Sequence, residues 1–392
     1  MNLSVGIVGL PNVGKSTLFN ALLKKQAAFV ANYPFATIEP NIGIVPVPDE
    51  RLEKLADITA NEMLKQDGYQ TVTRQVQHDT EKRPPIKPAV VNFVDIAGLV
   101  KGASEGAGLG NKFLSYIREV SIIAHVVRAF EDPNIIREGS VGPKEDYQTV
   151  QTELILADLA TVQSAQGKVK RFAKESEKTA IEKLFNGLNA GKPAREIELS
   201  DEEKEYAKTF FLLSSKPEII VLNVAEQDYN PAGIESIVKK YSEMLKQDGY
   251  QTVTRQVQHD NLVVISAKIE GELSELAEQE QKQYLLDLGV KESGLERLIK
   301  KAYKTLGLIS FLTAGEKEVR AWTLRAGSTA LSASGEIHTD FMKKFIKAEV
   351  VSYEDFVSLG GWKSAREKGK ARLEGRDYIM QDGDVVEFKI GT

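Results

Sequence analysis

The residues best suited to chemistry lie near the amino terminus, where residues 9–16 read GLPNVGKS. This spacing fits G-x-x-x-x-G-K-[ST], the phosphate-binding loop of nucleotide-binding proteins. Gly9 and Gly14 allow the backbone to turn so that its N–H groups converge on phosphate oxygens. Lys15 adds a mobile positive charge, and the Ser16 hydroxyl is a ligand for Mg²⁺. The motif therefore predicts a nucleoside triphosphate site with Mg²⁺ as cofactor.

Two later segments carry residue types that sense a terminal phosphate. Asp95-Ile-Ala-Gly98 fits D-x-x-G, so Asp95 would hold a water bound to Mg²⁺ and the Gly98 N–H would contact the γ-phosphate. Thr37 lies between this motif and the phosphate loop, where a threonine in a loop can close over the metal. The glycine-rich run 98–110 then predicts a second switch loop.

The position that should orient the attacking water is unusual. Many switch NTPases have a glutamine directly after the D-x-x-G glycine, but this chain has Leu99, which lacks a polar group. Hydrolysis must therefore use another group or a cation, or be slow. Asn12 could help a monovalent cation such as K⁺ to sit beside the phosphates. His125 is another candidate, although its apolar surroundings favour a buried core histidine.

Base selection depends on residues 223–226, which read NVAE where guanine-specific switches carry N-K-x-D. A carboxylate that faces adenine N1 has no proton to accept, whereas Asn223 can both donate to adenine N7 and accept from N6. The change at Glu226 and the missing lysine therefore favour ATP over GTP. Ser266, Ala267 and Lys268 would form a wall against the base.

The segments that must position these residues are short apolar runs, which predict strands. Helical stretches alternate with several of them, and this order favours an α/β fold with a mostly parallel, doubly wound sheet. In such a sheet the site lies at the carboxyl ends of the strands. The runs are 3–8, 90–94, 122–129, 218–223 and 262–266.

Two other regions differ from the predicted strands in composition and in the spacing of their apolar residues. Residues 147–188 are rich in Leu, Ala, Glu, Lys and Gln with heptad-like spacing, which predicts an inserted helical hairpin. A coiled coil that only spaces domains and an arm that binds a partner remain equally open. After Lys301, glycine-punctuated segments and an alternating run at 384–390 predict a small α+β domain of about 80 residues.

Length and composition exclude several classes of protein and of functional site. A chain of 392 residues predicts two or three domains at roughly 100–200 residues each. The absence of Cys excludes a disulfide scaffold, a thiolate zinc site and a cysteine nucleophile. No apolar run approaches the ~20 residues of a membrane span, and residues 1–8 are too short for a signal peptide. The net charge of −5 argues against a globally basic nucleic-acid coat.

A local basic cluster near the carboxyl terminus nevertheless predicts a contact with RNA or a ribosomal surface, because such clusters neutralise phosphates. A solvated charged face is the alternative. The cluster contains Lys363, Arg366, Lys368, Lys370, Arg372 and Arg376, and a second group contains Lys343, Lys344 and Lys347.

One 18-residue segment occurs twice without a single difference. Residues 62–79 and 243–260 both read EMLKQDGYQTVTRQVQHD. Divergent structural repeats would not stay identical, so we interpret the copies as a recent insertion of one coding element into two surface loops. An exposed excursion without a role is the favoured reading, and we discount His78 and His259 as catalytic residues.

Taken together, these motifs closely resemble the Obg-like ATPases of the YchF family. The likeness covers essentially the whole chain apart from the two identical segments. It is carried by residues 9–20 (GLPNVGKSTLFN), 32–41 (NYPFATIEPN), 93–104 (FVDIAGLVKGAS), 108–113 (GLGNKF), 125–128 (HVVR), 153–158 (ELILAD), 321–323 (AWT) and 337–341 (IHTDF).

The resemblance implies a translation-factor-class P-loop NTPase that prefers ATP and associates with the ribosome, as large subunit or whole, and with rRNA. It implies a GTPase-like domain over 1–132 and 208–306, a helical coiled-coil insert over 133–207 and a β-grasp-like TGS domain over 307–390. Neither a membrane nor DNA is an expected partner, and the implied location is cytoplasmic.

The resemblance also implies roles for single residues. Thr37 would join Ser16 on Mg²⁺, and Leu99 matches the family's hydrophobic replacement of glutamine. His125 matches a histidine that is proposed to assist hydrolysis. The residues that wrap the phosphates would be Asn12, Val13, Gly14, Lys15, Ser16 and Thr17, and those that line the base pocket would be Asn223, Val224 and Glu226.

Three functions are compatible with this sequence. One is a slow, Mg²⁺-dependent ATPase whose two switch loops report the nucleotide state. Another is a nucleotide-gated ribosome or RNA adaptor in which turnover hardly matters. A GTPase is the third, and it rests on the shared fold alone.

Overall fold

A computed structural model describes most of the chain, which divides into two compact units. The first contains Met1–Val45 and Val91–Ala302, and the second contains Pro46–Val90 and Tyr303–Thr392. The described residues are 3–32, 41–66, 83–96, 109–131, 142–167, 174–247 and 261–391.

A six-stranded sheet forms the centre of the first unit, with the strand order β2-β4-β1-β5-β6-β7. The pairs β1–β4, β1–β5, β5–β6 and β6–β7 are all parallel. Every residue of β1 and β5 is buried, as expected for strands covered on both faces. The strands are β1 (Ser4–Val8), β2 (Ile42–Pro46), β4 (Val90–Asp95), β5 (Ile122–Arg128), β6 (Glu218–Asn223) and β7 (Leu262–Ile265), while β3 (Ile86–Lys87) belongs to the second sheet.

Helices of the first unit follow most of these strands. They are α1 (Lys15–Asn32), α3 (Leu109–Glu119), α4 (Pro143–Gln166), α5 (Glu175–Asn189), α6 (Asp201–Ala207), α7 (Pro231–Gln247), α8 (Ala267–Leu273), α9 (Glu278–Asp287) and α10 (Gly294–Thr305). The whole of α2 (Arg51–Gln66) and the last three residues of α10 belong to the second unit.

The inserted helices α4 and α5 have a core of their own. Ile155 and Val162 of α4 pack with Ile181 and Leu184 of α5. The segment that returns to β6 is held by buried Asp158, which accepts hydrogen bonds from two backbone N–H groups and one hydroxyl at residues 213–214. The predicted helical region at 147–188 is therefore present as two packed helices, and residues 168–173 between them lie outside the described part.

A mixed sheet forms the second unit, in the order β11-β10-β12-β8-β9-β3. Its core includes Phe311, Leu324, Phe345 and Val350. The strands are β8 (Leu308–Ala314), β9 (Val319–Arg325), β10 (Phe345–Val351), β11 (Arg372–Glu374) and β12 (Val385–Ile390), and the helices are α11 (Ala330–Ile337), α12 (Thr339–Lys344), α13 (Tyr353–Leu359) and α14 (Trp362–Glu367).

The second unit also contains residues 46–90, which the sequence did not connect with the carboxyl terminus. Strand β3 pairs in parallel with β9, where Ile86 lies opposite Val319. On α2, Arg51 bonds to both Asp49 and Asp382. Arg51 and Asp382 are 331 residues apart in the chain, and β3 is likewise distant from β9, so no local pattern reveals these contacts.

The two identical segments begin in the same way in different units. Their first five residues, Glu62–Gln66 and Glu243–Gln247, form the ends of α2 and α7. Leu64 is buried in the second unit, whereas Met244 packs against the core of the first. The copies thus begin as helix ends rather than as loops, and their remaining residues lie outside the described part.

The predicted fold class is confirmed: the chain is an α/β protein with a P-loop, GTPase-like sheet, a helical insert and a carboxyl-terminal α+β unit. Among the described helices, none is long and apolar enough to cross a membrane.

Candidate nucleotide-binding site

The loop after β1 has the backbone conformation of a phosphate cradle. Gly9 has φ 152°, Asn12 φ 61° and Gly14 φ 98°. A Cβ on Gly9 would lie 2.4 Å from the carbonyl oxygen of Val126, and one on Gly14 would lie 2.3 Å from Nδ2 of Asn223. Both glycines are therefore required by φ and by the close approach of neighbouring atoms.

Lys15 begins α1 at the end of this loop and is almost fully buried. Its ammonium group donates a hydrogen bond to the carbonyl oxygen of Leu10, at 2.6 Å. Burial lowers the pKa of Lys15 to about 8, and the charge of Asp95 only partly offsets this. Asp95 ends β4 opposite Ile7 of β1; burial raises its pKa, and the charge of Lys15 opposes that rise.

The residues near Lys15 are suited to Mg²⁺, which takes only part of its ligands from the protein. They are less suited to a metal whose ligands all come from the protein. Ser16 offers a hydroxyl oxygen and Asp95 a carboxylate oxygen, which are hard donors of the type that Mg²⁺ binds together with waters and phosphates. In the described ranges, no group of three or more His, Cys, Asp or Glu residues could hold a metal ion. Thr37, the other predicted ligand, lies outside those ranges.

Asn223, at the end of β6, ties the base side of the site to the phosphate loop. Its Nδ2 donates to the carbonyl oxygen of Val13 at 2.8 Å, and its Oδ1 accepts from the backbone N–H of Ala267 at 2.9 Å. The side chain is 4% exposed. The sequence predicted that the amide of Asn223 bonds to adenine, but one of its N–H groups and one lone pair already bond within the protein. Asn223 therefore has a positioning role that the sequence did not reveal.

A cavity of about 960 Å³ joins the phosphate loop to this base side. Its volume lies in the range of small-molecule and cofactor sites. The predicted residues on its wall are Asn12, Gly14, Lys15, Ser16, Thr17, Asn223, Val224, Glu226, Ser266, Ala267 and Lys268. Val13 is buried beneath the wall and contributes the carbonyl that Asn223 anchors.

Several residues on the wall were missed by sequence reasoning. Phe130 follows β5, and the guanidinium of Arg128 lies 4.5 Å from the centre of its ring. Lys24 of α1 forms an ion pair with Glu275, which follows α8. An aromatic residue directly after the predicted strand 122–129 was the available signal for Phe130. The residues missed are Asn20, Ala21, Lys24, Phe130, Glu131, Ala225, Gly271, Glu272, Ser274 and Glu275.

Glu226, which replaces the aspartate of N-K-x-D, is not an isolated carboxylate. Lys268 donates to it at 2.8 Å, and this bond raises the pKa of Lys268. Both side chains are partly exposed at the cavity mouth. The pair joins the two segments that the sequence proposed as walls of the base pocket.

His125 lies in β5 and is absent from the cavity wall. It is 1% exposed, its Nδ1 lies 2.9 Å from Oε1 of Glu218, and its ring stacks on Tyr147. The His125 side chain therefore does not line the cavity, although its backbone lies opposite Val8, the residue before the phosphate loop. Gly98 and Leu99 lie outside the described residues.

Three of the six residues in the basic cluster of the second unit have acidic partners. Arg366 bonds to both Glu349 and Glu387. Lys370 pairs with Asp355, and Arg372 pairs with Glu374. These pairs reduce the positive charge available for phosphates, so the cluster is a weaker electrostatic site than its residue count suggests.

The loop, the strand order and the cavity define the class of the protein as a P-loop NTPase with a GTPase-like sheet. Residues 4–143 match the family model for a 50S ribosome-binding GTPase (MMR_HSR1). Residues 308–391 match YchF-GTPase_C, a family described as a protein of unknown function (DUF933).

Full-length relatives narrow this class to one family. The Ribosome-binding ATPase YchF of Bacillus subtilis (strain 168) is 45% identical over 400 residues, and the alignment covers the full length of both chains. The Haemophilus influenzae protein of the same name is 44% identical over 401 residues. The solved structure of the Schizosaccharomyces pombe YchF GTPase matches this chain with a TM-score of 0.80 at 34% sequence identity. The match covers 99% of this chain and 98% of the Schizosaccharomyces pombe chain. The chain belongs to the YchF family.

Proposed function

We propose that this chain is a Mg²⁺-dependent P-loop ATPase that associates with the ribosome and rRNA. The observation that carries the proposal is the cavity that runs from the phosphate loop to Asn223, where NVAE replaces N-K-x-D. Its Bacillus and Haemophilus relatives are named ribosome-binding ATPases, which supports both parts. The proposal implies a cytoplasmic location, because ribosomes work there.

Nucleotide binding would exchange contacts that exist within the protein. The Lys15 ammonium now bonds to the Leu10 carbonyl, and a phosphate oxygen would replace that acceptor. The converging N–H groups of the loop and the amino end of α1 would hold the remaining phosphate charge. Ser16, Thr37 and Asp95, the last through a water, would hold Mg²⁺, which would supply positive charge next to the phosphates.

Hydrolysis by this site should be slow. Leu99 stands where many switch NTPases have a glutamine that orients water. We propose that Lys15 and the Gly98 N–H stabilise charge on the γ-phosphate, and that K⁺ beside Asn12 adds to this effect. Slow turnover suits a switch that reports nucleotide state to a partner, so the ATPase and adaptor functions overlap.

We also propose the division into three segments: a nucleotide-binding domain over 1–132 and 208–306, an insert over 133–207 and a TGS domain over 307–390. The match of residues 308–391 to YchF-GTPase_C supports the last boundary. The grouping of residues 46–90 with the second unit is a structural feature that this division does not include.

A GTPase of the same fold is the second candidate. The Schizosaccharomyces pombe relative is named a GTPase, and so is the family that matches residues 4–143. Calorimetric titration of the whole chain with ATP and with GTP, both in Mg²⁺, separates the two. We expect ATP to bind at least tenfold more tightly, a difference of about 1.4 kcal/mol. Tighter binding of GTP would overturn the ATPase proposal.

A further inference from the structure

One buried carboxylate in the first unit accepts hydrogen bonds from four side chains. Glu218 is 6% exposed at the start of β6. Its Oε1 lies 2.9 Å from Nδ1 of His125 and 2.7 Å from Nε2 of Gln151. Its Oε2 accepts from the Tyr147 hydroxyl at 3.1 Å and from the Arg195 guanidinium at 2.9 Å. We call these five residues the Glu218 cluster.

The charge state of the cluster follows from its contacts. Burial by itself would raise the pKa of Glu218, but the Arg195 charge and the bonds from His125 and Tyr147 outweigh burial and lower it. Glu218 is therefore a carboxylate, which can only accept hydrogen bonds. The Nδ1 atom of His125 must then carry a proton.

Three members of the cluster belong to the root of the helical insert. Tyr147 and Gln151 are one turn apart on α4, and Arg195 lies on the segment that leaves α5. Arg195 also donates to the side-chain oxygen of Gln151 at 3.0 Å. The first part of α4 and the segment after α5 are thus bonded to the same carboxylate.

The other two members belong to strands that end at the nucleotide cavity. His125 lies in β5 and Glu218 in β6, and these strands pair in parallel. Five residues after His125 is Phe130, and five residues after Glu218 is Asn223; both line the cavity. Five residues of extended chain span about 16 Å. The stretch from Glu218 to Asn223 lies wholly within β6, and the stretch from His125 to Phe130 follows β5 to its end at Arg128.

We propose that Glu218 is a positioning residue that couples the nucleotide cavity to the root of the helical insert. His125 is then a second positioning residue, because it acts through Glu218. When a ligand shifts the ends of β5 and β6, the buried carboxylate must keep its partners, since an unpaired buried charge is costly. The first two turns of α4 therefore move with the strands. This inference rests on the proposed nucleotide function.

Hydrogen exchange of the whole chain, with and without a non-hydrolysable ATP analogue, tests the coupling. The analogue should change the exchange rate of backbone amides in residues 143–151 by at least threefold. Glu218→Gln is nearly isosteric but removes the charge, and we expect it to abolish this change. Tyr147→Phe keeps the stacked ring and removes one bond, and it should reduce the change. Analogue affinity is measured by titration on each sample.

Glu203→Gln is the matched control, because Glu203 is another carboxylate of the insert that pairs with Lys183, away from β5 and β6. The control should keep the full change. An undiminished change in Glu218→Gln overturns the coupling, as does no change in the unaltered chain when the analogue binds. If Glu218→Gln does not fold, Tyr147→Phe decides by the same criterion. Absence of analogue binding would instead contradict the proposed nucleotide function.

Turnover distinguishes a positioning role of His125 from a role as general base. His125→Gln retains an N–H donor for Glu218, so we expect it to keep turnover within about tenfold and to keep the exchange effect, whereas His125→Ala loses the exchange effect. A general base contributes about 10²–10⁴-fold to a rate. A loss of that size in His125→Gln, with Glu218→Gln nearly unaffected, would show that His125 acts on the attacking water instead.

Discussion

Asn223 donates a hydrogen bond from Nδ2 to the backbone carbonyl oxygen of Val13, at 2.8 Å. The donor ends β6 and the acceptor lies in the phosphate loop, 210 residues earlier in the chain. The same side chain accepts from Ala267 at the start of α8. One amide thus fixes the phosphate loop against both segments of the proposed base pocket.

Asn223→Ala should weaken ATP binding by about 1–3 kcal/mol, the range for loss of a paired amide contact. The structure adds a second expectation, because loosening the phosphate loop should also weaken a ligand that has no base. Titration with tripolyphosphate measures this part. If tripolyphosphate binds equally well before and after the substitution, Asn223 acts only on the base and the tie to Val13 has no role in binding.

Lys15→Ala should abolish turnover, whereas Leu99→Ala should leave most of it. Lys15 would meet the phosphates directly, and loss of one preorganised electrostatic contact costs about 10²–10³ in rate. Leu99 has no polar group to contribute. Phosphate release measured for both variants at saturating ATP tests this difference. Complete loss of turnover in Leu99→Ala, with nucleotide binding intact, would contradict it.

ATP affinity should fall as pH rises above about 8. Burial lowers the pKa of Lys15 to about 8, so the nucleotide-free protein loses this ammonium proton from pH 8 upward, well below the usual 10.5. Phosphates favour the charged form, and binding must therefore take up a proton. Calorimetry in two buffers with different ionisation enthalpies should show uptake of up to about one proton at pH 9 and almost none at pH 7. Equal proton uptake by Lys15→Gln would assign the proton to another group.

K⁺ should stimulate hydrolysis more than Na⁺ does. Asn12 lies on the cavity wall with φ 61°, a backbone conformation that Asn and Gly tolerate best. Asn12→Gly therefore keeps the loop backbone and removes only the side chain. We expect this variant to lose the preference for K⁺ while it still binds ATP. Equal rates of the unaltered chain in the two ions would exclude a cation at Asn12.

Local patterns were sufficient to predict the phosphate loop and five of the six strands of the first sheet, but not β2. The runs that became β1, β5 and β6 are mostly apolar, and φ and the close approach of neighbouring atoms explain why the loop contains Gly9 and Gly14. The Glu218 cluster could not be predicted, because its members are separated by up to 93 residues and only the fold brings them together. Asn223 illustrates the same limit: its residue type indicated hydrogen bonding, but its partners depended on tertiary structure.

The identity of the ribosome-binding surface can be tested by charge reversal in the second unit. Lys368→Glu/Lys370→Glu/Arg372→Glu should reduce co-sedimentation with ribosomes and leave ATP turnover near normal, because phosphate contacts depend on positive charge. The expected loss is moderated by existing ion pairs, since Lys370 lies 3.3 Å from Asp355 and Arg372 lies 3.0 Å from Glu374. The difference in co-sedimentation between the triple variant and the unaltered chain should become smaller as the salt concentration increases.

A matched triple reversal in the helical insert serves as the comparison. Lys178 and Lys204 of the insert, and Lys208 directly after it, are exposed. Each has an acidic partner three residues earlier, so their reversal to Glu also breaks local ion pairs. Equal co-sedimentation of the second-unit variant and the unaltered chain at physiological salt would exclude the basic cluster as the contact. A loss confined to the insert variant would make the insert the better candidate, and the Glu218 cluster would then connect a ribosome-binding arm to the nucleotide cavity.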